Sequence, residues 1–166
     1  MATRKVFYSF HYKNDAWRAS QVRNMGAVEG NPPASDNDWE KVQVGGDTSI
    51  KRWIDNQLNG RSATVVLIGR NTAGRKWINY EIEQSWNLQK GLLGINIHAL
   101  KNRDGEQAVK GENPFGGFTI QSSGKSLSDI VKTYDPPYLT SKFAYEYISD
   151  NLSNWIEESI KIRNSY

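Results

Sequence analysis

The chain has 166 residues, room for one domain with a well-buried core. Only 37% of residues are hydrophobic and mean hydropathy is −0.68, so six Trp, eight Tyr and five Phe must supply the large core pieces. Cysteine is absent, which excludes disulfides, thiolate metal sites and cysteine nucleophiles and fits a reducing, cytoplasmic setting.

Net charge is +3, but the 21 Lys and Arg are scattered among 18 acids with no basic run longer than a pair. That describes a solvated surface and gives no reason to expect nucleic acid as a partner. Two histidines, His11 and His98, are too few for a His-only metal site, and no HExxH-like spacing supports a site shared with carboxylates. No apolar run approaches the ~20 residues of a membrane span, and MATRKVFYSF is no signal peptide, so no membrane association is expected.

In chain order, KVFYSF at 5–10 reads as a first strand, being β-branched and aromatic. A polar turn follows, then a helix with Asp15 as N-cap and Trp17, Val22 and Met25 inward. Gly26 to Asp47 reads as a long loop carrying Trp39. Thr48 or Ser49 can cap the next helix, whose Ile50, Trp53, Ile54, Gln57 and Leu58 share one side before Gly60 stops it. ATVVLIG at 63–69 is continuously apolar, the mark of a central parallel strand buried on both faces. A third helix spans about 75–89 with Ile78, Ile82 and Trp86 as its core stripe, followed by the apolar strand GLLGINIHAL. Residues 101–126 read as an irregular surface excursion, 128–135 as an edge strand closed by Pro136-Pro137, and 141–163 as a long amphipathic helix. This order predicts a single α/β three-layer sandwich over residues 1–166 around a mainly parallel sheet.

In such folds ligands sit beyond the carboxyl ends of the strands, at the topological switch point. Three places qualify: Ser9–Asp15, Gly69–Gly74, and the chain from His98 onward. Just beyond the second lies RKWINYEIEQSW, where Trp77 and Glu81 stand four residues apart on one helix face. Glu81 falls on the shoulder of the buried stripe, positioned to be partly dehydrated and still reachable; an ordinary surface Glu near a helix start is the competing reading.

The blocks FYSFHYKNDAWRASQVRN, WIDNQLNGRSATVVLIG, RKWINYEIEQSW and KGLLGINIH, in that order, resemble TIR domains that cleave NAD. They are closest to the TIR-like proteins of bacterial Thoeris anti-phage systems. The resemblance covers roughly residues 4–115 and implies a flavodoxin-like or Rossmann-like TIR fold. It implies Glu81 as the catalytic residue and NAD as substrate, with no separate cofactor. It places Phe10 and His11, with Asp15 near, against the nicotinamide ribose. Each has a structural alternative: Phe10 as core, Asp15 as cap, His11 as a solvent-facing loop residue. Trp77 either stacks on nicotinamide or packs the helix, and Arg70 and Arg75 either meet pyrophosphate or stay solvated. The branch further implies a cyclic ADP-ribose isomer as product, an effector protein that reads it, and a phage-derived trigger. A catalytically silent TIR-like scaffold acting by self-association is the rival. A response-regulator receiver is rejected, because Gly69-Arg70 stands where its phosphate-accepting Asp belongs. A deoxyribosyltransferase-like enzyme is a lesser alternative.

The chemistry suits a lone carboxylate. Nicotinamide departs neutral while positive character grows on the ribose, so no acid is needed to protonate a leaving group, unlike the paired carboxylates of ordinary glycosidases. An ionised Glu at ~4 Å contributes about 4 kcal/mol at an effective dielectric near 20, about three decades of rate.

Overall fold

The computed structural model describes residues 4–25 and 45–166. Trp39 and all but the last residues of the expected 26–47 loop lie outside them. Among these described residues, four strands, β1 (Val6–Phe10), β2 (Ala63–Ile68), β3 (Gly91–Asn96) and β4 (Thr133–Tyr134), pair in that order, every pair parallel. Four α-helices are described beside them: α1 (Tyr12–Arg23), α2 (Gly46–Leu58), α3 (Lys76–Asn87) and α4 (Ser141–Asn164).

Strand alternation sorts side chains into two cores. Val6 and Tyr8 of β1, Ala63, Val65 and Leu67 of β2, and Leu93 and Ile95 of β3 face α1 and α4. On the opposite face, Val66, Ile68 and Leu92 meet Ile78 and Ile82 of α3, while Phe7 meets Ile50, Ile54 and Leu58 of α2. β2 and β3 are buried along their whole length, as their unbroken apolar runs require. The result is the expected three-layer α/β sandwich with a parallel sheet. No helix among the described residues is long and apolar enough to cross a membrane.

Several expectations need correction. Among the described strands the order runs in sequence with no reversal, so no switch point lies between them. Asp15 does not cap α1. His11 is the N-cap, its Nδ1 accepting from the Asn14 amide at 3.3 Å, and Asp15 lies inside the first turn. Gly45, rather than Thr48 or Ser49, holds the N-cap of α2, with no side-chain cap bond. Trp17 is half exposed instead of inward. The excursion at 101–126 is no mere surface feature, because Phe115 is fully buried between Ile68, Ile78 and Leu127 in the second core. Gly94 of β3 makes that possible: a Cβ there would lie 3.0 Å from Phe115 Cε2 and 2.7 Å from Ile68 Cδ1.

Candidate active site

At the carboxyl end of β1, odd-numbered side chains face α3. Ser9 pairs in register with Val66 and is 1% exposed. Its hydroxyl donates to Oε2 of Glu81, joining residues 72 apart in sequence. Glu81 is 5% exposed and so lies beneath the strand end, not on the helix shoulder expected from spacing. A second pin holds the same turn from behind: the Ser85 hydroxyl donates to the Glu81 carbonyl at 2.6 Å. Ser85 has one proton, so the Thr64 hydroxyl of β2 must donate to Ser85 across their 2.7 Å separation. Side chain and backbone of Glu81 are thus tied to two different strands.

Burial pushes the Glu81 carboxyl up to about 8, and the Ser9 hydrogen bond opposes the rise. At neutral pH the carboxyl is therefore mostly protonated.

A second polar group lies at the β1–α1 corner. Asp15 is 2% exposed; Oδ1 takes a hydrogen bond from Arg18 Nη1 at 3.1 Å, and Oδ2 has no partner among the described residues. Its carboxyl is raised by burial, against the pull of the Arg18 charge. Arg18 also donates to the carbonyls of Leu100 at 2.8 Å and Glu106 at 3.0 Å, fastening the excursion to this corner. The Gly69 amide at the end of β2 donates to the Thr72 hydroxyl at 2.8 Å, shaping the loop toward α3.

His11 is buried, contrary to a solvent-facing loop position, and burial with the nearby Arg75 charge lowers its proton affinity. Phe10 packs on the α1–α4 face of the sheet, opposite to Ser9 and Glu81, with its ring stacked on Tyr12 at 6.2 Å. Trp77 is partly buried against the α2 cluster, edge-on to Tyr80 at 5.9 Å, with Lys76 Nζ 4.9 Å from its ring centre. Arg70 and Arg75 are both exposed. His11 and Asp15 thus share one corner, Glu81 sits under the adjoining strand end, and Phe10 and Trp77 lie to either side of them. Ser9 and Thr64 escaped the sequence reading; the one available signal was that Ser9 is the lone small polar residue in an aromatic strand. Among the described residues no cluster of His, Cys, Asp and Glu could hold a metal ion.

Among the described residues Glu81 is the one buried Glu, beneath the end of the first strand of a parallel α/β sandwich. Residues 7–102 match the family described as "Thoeris protein ThsB, TIR-like domain". A Bacillus cereus (strain MSX-D12) protein named "Putative cyclic ADP-D-ribose synthase ThsB1" is 37% identical over 131 residues, covering 75% of this chain and 68% of that one. The chain belongs to the ThsB family of Thoeris TIR-like proteins.

Proposed function

We propose that this chain cleaves the nicotinamide–ribose bond of NAD, with Glu81 as its catalytic residue, and closes the ADP-ribose into a cyclic isomer. The observation that carries the reading is the buried Glu81 carboxyl held by Ser9 beneath the carboxyl end of β1. Family membership and the name of the Bacillus relative support the same activity.

The bond between ribose C1′ and the pyridinium nitrogen breaks, and its electron pair leaves with nicotinamide, which becomes neutral. Positive charge moves to the ribose. Glu81 is protonated before substrate binds, but the permanent charge of the nicotinamide ring favours its ionised form, so the carboxyl gives its proton to solvent as substrate arrives. Ionised Glu81 then stabilises the ribose cation from a dry position, where its charge acts most strongly. A nucleophilic group of the same ADP-ribose captures the cation, closes the ring and gives up its proton to solvent; capture by water gives the linear product and likewise releases one proton. Asp15, with its unpartnered Oδ2, and His11 offer polar contacts to the ribose at the adjoining corner. Phe10 lies on the opposite face of the sheet and Trp77 packs into the α2 cluster, so neither is assigned a contact with nicotinamide.

The product in this reading is a diffusible signal for an effector protein, made in the cytoplasm in response to a phage-derived trigger. The rival, a catalytically silent scaffold, has one observation in its favour: Leu139 is 93% exposed beside Tyr138 and Phe143 at the corner between β4 and α4. Liquid chromatography with mass detection of NAD incubations, using purified protein and lysates of infected cells, separates the readings. Nicotinamide and a product with the mass of cyclic ADP-ribose are expected. Linear ADP-ribose alone overturns the cyclase, and no NAD loss in either setting favours the scaffold.

A further inference from the structure

Glu81 has two carboxyl oxygens, and they are treated differently. Oε2 receives the Ser9 hydroxyl, while no described residue donates to Oε1. Ser9 cannot wander: its backbone is locked in the parallel ladder opposite Val66, and its side chain is closed off from solvent. The helix turn beneath is fixed by the Thr64–Ser85–Glu81 relay. One oxygen is thereby anchored to the rigid edge of the sheet, and the other is left for whatever enters the site.

We propose that Ser9 is a positioning residue that orients the Glu81 carboxyl through Oε2, presents Oε1 to the substrate ribose, and supports the ionised form in a dry site. The inference rests on the reading of Glu81 as the catalytic residue. A hydrogen bond to an ionised acceptor is about twice as strong as a neutral one, so the Ser9 contact tightens as Glu81 loses its proton. Among the described residues, burial and Ser9 are the influences on this carboxyl; the charged groups on the packed elements, His11 and Asp15 at the corner, Lys51 and Asp55 on α2, and Arg75, Lys76 and Glu83 at and along α3, add no shift. Phe7, the other β1 side chain on the α2–α3 face of the sheet, packs into the apolar α2 cluster and has no donor to replace Ser9.

The test compares the full chain with Ser9→Ala and Ser9→Thr, using Glu81→Gln as a spectral blank. Infrared difference or carbon NMR titration of Glu81 in the absence of NAD reads the carboxyl directly. Ser9→Ala should raise the titration midpoint by about one pH unit or more, and Ser9→Thr, which keeps the hydroxyl, should restore it. With NAD, Ser9→Ala should lower kcat about tenfold near neutral pH with little change in KM, and Ser9→Thr should recover the rate. An unchanged midpoint in folded Ser9→Ala overturns the proposal whether or not NAD is cleaved. If wild-type protein cleaves no NAD, the proposed function falls while the titration still judges Ser9. Should Ser9→Ala fail to fold, Ser9→Cys takes its place, being of similar size with a weak donor; a raised midpoint supports the proposal and an unchanged one overturns it.

Discussion

The carboxyl group of Asp15 rests directly on the α-carbon of Gly69. A Cβ at position 69 would lie 2.7 Å from Asp15 Cγ and 2.8 Å from its Oδ1, with Oδ2 closer still. On the other side, the Cβ of a residue at 111 would meet the Gly69 carbonyl and lie 3.1 Å from the Arg70 carbonyl oxygen. Three chain segments therefore meet at the end of β2 with no room for a methyl group. Gly69→Ala should destabilise the fold by about 1–3 kcal/mol, read by denaturant unfolding. Gly111→Ala should cost at least as much, because backbone atoms yield less readily than a side chain. Wild-type stability in both variants would refute the close packing at this corner.

Arg18 ties α1 to the chain beyond β3. It is 5% exposed and reaches Asp15, the Leu100 carbonyl just before the excursion and the Glu106 carbonyl within it. Arg18→Met should cost about 3–5 kcal/mol, the range for breaking a buried pair and leaving one charge behind. It should also speed hydrogen exchange at the amide of Asn102, which bonds to the Glu106 carbonyl at 2.8 Å, and at that of Ala108, which bonds to the His98 carbonyl at 2.9 Å. Unchanged exchange there would show that the excursion holds itself.

Phe115 joins the excursion to the second core, fitting over Gly94. Phe115→Ala should cost about 3–5 kcal/mol. Gly94→Ala should be destabilising for the opposite reason, overfilling the same space. Measured together, the two changes should be non-additive, since each alters the space that the other occupies.

Much of this fold was legible. β2 and β3 announce themselves by unbroken apolar runs, and Ile148, Leu152, Trp155 and Ile156 mark α4 by helical spacing. Phe115 was not legible, because a single aromatic among Gly, Asn and Ser has no period. The caps were misread since His11 and Gly45 compete with better cap-formers next to them, and backbone geometry decided. Glu81 stood out from its neighbours in sequence, but its depth did not. Periodicity within α3 locates the stripe of Ile78 and Ile82; only the crossing of β1, which brings in Ser9, adds cover on Glu81's own side.

That depth gives a signed pH dependence. Burial raises the folded-state pKa of Glu81 from 4.5 to about 8, so the folded protein holds this proton more tightly than the unfolded chain. Its contribution to stability is fully present below the unfolded value and is lost as pH rises through about 8. Wild-type melting temperature should therefore fall relative to Glu81→Gln over that window, and a constant difference would contradict a strongly raised pKa. In kinetics, kcat/KM should climb with pH along a limb near 8, reporting the free enzyme, while the limb in kcat should lie lower because bound nicotinamide is cationic.

The most direct test of Glu81 as the catalytic residue is NAD turnover by Glu81→Gln, nearly isosteric and unable to carry charge. The account predicts a folded protein whose nicotinamide release falls by about 100-fold or more. Glu83→Gln, an exposed neighbour on the same helix, should stay close to wild type. Wild-type turnover by well-folded Glu81→Gln would contradict it.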